Sequence, residues 1–141
     1  MVSAYLLNSF LVAAAVLIHF EALNLLTRLI PHLPIKQRLR ILFGVFGALI
    51  AHVTEIWVFA FGYYFMIHQG GFGTLEGHFD QSLMDCSYFS FVSYTSLGFR
   101  DIVAKGDIRF LAGLEALTGL VLITWTASFM FIEMQKFWKD H

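Results

Sequence analysis

The sequence predicts an all-α membrane protein with three transmembrane helices and a shorter re-entrant helix and loop set before the last of them. Three observations predict it. The chain has 141 residues, 58% of them hydrophobic and only 13% charged. That is more apolar surface than a soluble domain of this size can hide, but a bilayer solvates it readily. Three apolar stretches, at residues 4–29, 41–67 and 108–137, each exceed the roughly 20 residues that carry a helix across a hydrocarbon core. A fourth apolar run, at about residues 80–95, is too short to cross and reads as re-entrant.

Each element follows from its residues. The first stretch lacks a basic start and is about as long as a bilayer is thick, so it is expected to be a true span and not a cleavable leader. Pro31 and Pro34 break the helix that follows it. Arg28, Lys36, Arg38 and Arg40 cluster at this linker, and Lys136 and Lys139 close the third span. The long connection between the second and third spans sets Arg100 and Lys105 against Glu76, Asp80, Asp85, Asp101 and Asp107. The excess of cations on one side predicts a cytoplasmic linker and C-terminus, with the N-terminus and the connection outside.

The connection opens with Gln69-Gly70-Gly71-Phe72-Gly73-Thr74, a flexible, turn-rich start. Asp80 or Ser82 is placed to cap the short helix, expected over residues 81–95. Irregular backbone at membrane depth is tolerated only where protein covers it or water lines it. The residues after the helix are therefore expected to line an aqueous path. The chain divides into residues 1–40, a helix and its linker, and residues 41–141, which hold an outer helix at 41–67, the short helix, the loop at 96–101 and a last helix at 108–137.

Composition also excludes functions. The net charge is −1 and there is no basic run, so nucleic acid is not an expected partner. Cys86 is the single cysteine, which rules out a disulfide within the chain and suits a small buried apolar residue. No nucleophile–base pairing or phosphate loop is visible, so catalysis is not expected and no cofactor is called for. Ionisable residues do lie inside the spans: His19 and Glu21 in the first, His52 and Glu55 in the second, Glu115 in the third. His52 and Glu55 are three apart and share a helical face. Charges at such depth face protein or water. Two readings stay open: hydrogen bonds between helices, or a proton- or metal-sensitive site for which His52 and Glu55 alone are too few ligands.

The loop Thr95-Ser96-Leu97-Gly98-Phe99-Arg100-Asp101-Ile102, following the aromatic-rich run Tyr88-Phe89-Ser90-Phe91-Val92-Ser93-Tyr94, resembles the pore of the tetrameric potassium-channel family. That family's filter reads Thr-Val-Gly-Tyr-Gly-Asp after a short pore helix. Ser96 stands for its Thr, Leu97 for Val, Gly98 for the first Gly, Phe99 for Tyr, Arg100 for the second Gly and Asp101 for Asp. The resemblance spans about residues 41–138 and is similar to bacterial two-span pore modules, here with an extra N-terminal span. It implies a homotetramer in membrane lipid that passes monovalent cations, potassium first, through rings of backbone carbonyls. Ser96 would add a hydroxyl ring, and Gly98 would turn its carbonyl to the axis. Leu97 and Phe99 would pack behind the filter, with Thr95, Asp101 and Glu115 in support. Gly119 would be a hinge in the inner helix, with Gly113, Ala116 and Ala127 allowing close contact. The alternatives are a non-conducting or weakly selective subunit assembled with another pore chain, or a small proton- or metal-linked carrier.

Arg100 departs from the family pattern. A Cβ resists the backbone shape that the family's glycine adopts there, so the outermost carbonyl ring is expected to be rearranged or lost. Four such charges roughly 6 Å from an entering cation in water would oppose it by ~2.8 kcal/mol, or ~1.3 kcal/mol once salt screens them. Altered geometry therefore matters more than repulsion.

Overall fold

The computed structural model describes residues 2–98 and 101–139. Helix α1 spans Val2–Leu29 and passes into a short 3-10 turn at Ile30–His32. Helix α2 spans Gln37–Gln69, strand β1 Thr74–Gly77, helix α3 Leu83–Tyr94, strand β2 Ile102–Lys105 and helix α4 Ile108–Lys139. Helices α1, with its 3-10 turn, α2 and α4 are each long and apolar enough to cross a membrane.

The chain's breaks have local causes. Pro31 sits in the 3-10 turn, and the backbone becomes extended at Leu33 and Lys36 before α2 begins. Arg40 donates from Nη2 to the Leu33 carbonyl at 2.9 Å, satisfying an acceptor that the turn leaves open. Asp80 and Ser82 start α3 in series. Asp80 Oδ1 accepts from the Ser82 amide at 3.1 Å, and Ser82 Oγ caps the helix by accepting from the Asp85 amide at 3.1 Å. Hydrogen bonding to Ser82 holds the Asp80 carboxyl below its ordinary value.

The start of the long connection is more ordered than its glycines suggest. Thr74 pairs with Lys105 and Gly77 with Ile102 in an antiparallel ribbon. The His78 amide continues the pairing to the Asp101 carbonyl at 2.9 Å, and the Ile108 amide reaches the Phe72 carbonyl at 2.9 Å. The ribbon clasps the two ends of the segment that contains α3. Four-residue strands carry too little pattern to separate from turn residues in sequence.

Helix α2 packs against α1, α3 and α4, and α1 also meets α4. Leu11 and Ala15 of α1, Phe59, Tyr63 and Met66 of α2, Cys86 and Phe89 of α3, and Leu111 and Leu122 of α4 form one core around the short helix. On α2, Gly47 and Gly62 receive the side chains of Leu26 and Leu11, small residues allowing close helix approach. The outward faces are apolar, with Phe10 68%, Phe46 62% and Ile50 67% exposed. Surfaces of this kind are solvated by lipid.

Candidate pore loop and its supporting network

Helix α3 ends at Tyr94, and Thr95 forms its C-cap, with its amide bonded to the Phe91 carbonyl. The Thr95 hydroxyl donates back to the same carbonyl at 2.7 Å. Ser96 and Gly98 then adopt left-handed backbone, with φ of 59° and 67°. Any residue with a Cβ pays ~1–2 kcal/mol for that conformation. Among the described residues nothing lies within 4 Å of where a Cβ on Gly98 would stand, and its positive φ alone calls for glycine.

Residues Thr95 through Gly98 are all exposed on the single chain. Leu97, expected to pack behind the loop, is 62% exposed among the described residues. The loop borders an open groove of about 750 Å³, which Ser93, Ser96 and Gly98 line together with Gly113 and Ala116 of α4. Phe99 and Arg100 lie outside the described residues. Asp101 is half-buried, with its carbonyl held in the ribbon's extension.

Behind α3 stands Glu115 of α4, with no exposed surface. Tyr63 of α2 donates to its Oε1 at 2.7 Å, and the Ser90 hydroxyl of α3 bonds its Oε2. Ser90 also lies 2.7 Å from the Ile56 carbonyl of α2. One serine hydrogen thus faces two acceptors, the Ile56 carbonyl and the Glu115 carboxyl. The carboxyl group thus joins α2, α3 and α4 behind the loop.

A family model described as "Ion channel" matches residues 51–136. The chain belongs to this ion-channel family. The match covers most of α2, the clasped α3 segment and almost all of α4, and leaves α1 outside it. Neither the curated proteins nor the solved structures contain a match. The channel is a multi-pass membrane protein, with three helices among the described residues long and apolar enough to span.

In this channel Gly119 is buried where α4 crosses the end of α3. A Cβ there would collide with the Tyr94 carbonyl oxygen. The α4 helix runs through this position unbroken, so close packing accounts for the residue in the conformation described. The α4 hydroxyls of Thr124 and Ser128 bond their own helix, to the Leu120 and Thr124 carbonyls. Glu133 pairs with Lys136 at 3.2 Å near the end of α4.

The channel has a second polar centre. His52 and Glu55 share it with His19 of α1, Tyr94 of α3 and Thr126 of α4. His19 Nδ1 lies 2.9 Å from Glu55 Oε1, and the Tyr94 hydroxyl donates to Glu55 Oε2. His52 Nδ1 lies 2.6 Å from the Tyr94 oxygen. Thr126 Oγ1 closes the circle, 2.8 Å from His52 Nε2 and 3.1 Å from His19 Nε2. His19 and Glu55 have no exposed surface. Glu21, grouped with His19 by position, faces outward and is exposed. Tyr94 and Thr126 carried no signal of this role in sequence, since each looks like an ordinary aromatic or small polar residue of an apolar run.

Proposed function

We propose that four copies of the chain surround one axis and pass monovalent cations, potassium first, between loops built from Ser96, Leu97, Gly98, Phe99 and Arg100. One observation carries this reading. A short helix held at the centre of the fold ends in an uncovered loop whose backbone is left-handed at Ser96 and again at Gly98. Backbone carbonyls bind a dehydrated cation only as a ring, and one loop supplies a quarter of it. Neighbouring chains would also cover Leu97 and fill the groove beside Gly113 and Ala116. The C-terminal end of α3 carries partial negative charge toward the loop, which favours a cation there. Glu115 and Asp101 hold the loop's surroundings, Thr95 ends the helix that delivers it, and Gly119 sets the spacing of the lining helix and serves as its hinge in gating.

The charge pattern supports a cytoplasmic C-terminus and an external N-terminus. Arg40, Lys136 and Lys139 line one cavity at the end of the bundle opposite the loop, which suits the cytoplasmic face.

The test is particle mass in nanodiscs together with potassium and sodium flux from the same preparation. The expected result is four chains per particle, potassium flux above sodium flux, and block by barium. A stable monomer or dimer overturns the proposal. Flux that requires a co-transported proton would assign the chain to carriers instead.

A further inference from the structure

We propose that His19, His52 and Glu55 form a binding site for a divalent transition-metal ion of the zinc type, with the Tyr94 oxygen as a fourth donor. The argument begins with a count of hydrogens. The circle of His19, Glu55, Tyr94, His52 and Thr126 has five links. Two neutral imidazoles, a phenol and an alcohol bring one hydrogen each, and a carboxylate brings none. The circle is one electrophile short. A carboxylate with no exposed surface is expensive to bury as a charge, and a positive partner completes the set. A proton can do so, and so can a metal ion.

The geometry favours the ion as the built-in ligand. One donor atom from each of His19, His52 and Glu55 falls within 4.8 Å of the others. The closest pairs are His19 Nδ1 to Glu55 Oε1 at 2.9 Å and His52 Nδ1 to Glu55 Oε2 at 3.4 Å. Bonds of about 2.0–2.1 Å in a tetrahedron set neighbouring donors about 3.3 Å apart, so these two pairs already lie near that spacing, while the set as a whole contracts around an ion from within 4.8 Å and the Tyr94 oxygen moves out from 2.6 Å of His52 Nδ1. Two imidazole nitrogens and a carboxylate suit zinc, cobalt or nickel, whereas magnesium and calcium take oxygen sets.

Thr126 supplies the supporting shell. Its single oxygen is within hydrogen-bonding reach of Nε2 on both histidines. Accepting from both N–H groups would leave both Nδ1 atoms without a hydrogen, His19 Nδ1 2.9 Å from Glu55 Oε1 and His52 Nδ1 2.6 Å from the Tyr94 oxygen and 3.4 Å from Glu55 Oε2, and metal-binding histidines use this tautomer. The donors come from α1, α2 and α3, so an ion would fasten the N-terminal helix, which lies outside the family match, to the residue that precedes the loop.

The experiment is a titration of the untagged full-length protein in detergent with cobalt(II), followed by its visible d–d absorption. One four-coordinate ion per chain is expected. His52→Asn and Glu55→Gln should each weaken binding at least tenfold, and Thr126→Val should weaken it about 10–100-fold through the supporting shell. Absence of four-coordinate bands in the wild-type protein at excess cobalt overturns the proposal, whatever the variants do. Bands unchanged in all three variants overturn it as well, because the ion then sits elsewhere. The result is independent of whether the pore conducts or how many chains assemble.

Discussion

Gly119 of α4 and Tyr94 of α3 touch backbone to backbone: the Tyr94 carbonyl oxygen occupies the space that a Cβ on residue 119 would need. The short helix can end where it does only because the long helix has no side chain at this point. Gly119→Ala is expected to push the two helices apart and destabilise the fold by about 1–3 kcal/mol, in the range of other overpacked sites. Thermal unfolding in detergent reads the cost. An unchanged midpoint would mean that the helices separate freely, and close packing would no longer explain the glycine.

Gly98 tests the loop's backbone separately from its packing. Gly98→Ala meets no neighbouring atom among the described residues, yet its φ of 67° costs a non-glycine residue ~1–2 kcal/mol. Ion flux is expected to fall much more than thermal stability, because the loop is exposed and contributes little to the core. Loss of stability with flux retained would place the residue's importance outside the pore.

Glu115 separates shape from charge. Glu115→Gln keeps an acceptor for Tyr63 and a donor for Ser90 and is expected to stay close to wild type in stability. Glu115→Ala strands the Tyr63 hydroxyl in a buried site, at about 1–3 kcal/mol. A glutamine variant as damaged as the alanine variant would show that a carboxylate charge is required.

In the proposed filter Arg100 takes the place of a glycine. Arg100→Gly is expected to raise potassium flux in reconstituted vesicles, mainly by freeing the backbone of the outer ring. In the proposed fourfold ring screened repulsion would be only ~1.3 kcal/mol, so Arg100→Gln should recover less flux than Arg100→Gly. Equal flux in wild type and both variants would show that this residue does not limit passage.

Much of the fold was legible because its signals are local. A span declares itself by apolar length, and α3 by an apolar run too short to cross, with Ser82 ready to cap it. The ribbon was hidden because its strands are only four residues long and their pairing joins Thr74 to Lys105 across the whole α3 segment. Glu21 and His19, two apart in one helix, look alike in sequence but point to different surroundings, and only the packing of α1 separates them. Leu97 likewise gave no sign that it would be mostly exposed among the described residues.

From the sequence alone came the membrane environment, three crossings, the short helix and the loop that follows it, since each depends on neighbouring residues and on the cost of exposing backbone or charge to lipid. The tertiary structure decided which buried groups meet. His19 and Thr126, 107 positions apart, enter one circle with His52, Glu55 and Tyr94 because four helices converge there. Hydrogen bonds reach only about 3 Å, so partnership among distant residues is set by helix packing, which no local pattern encodes.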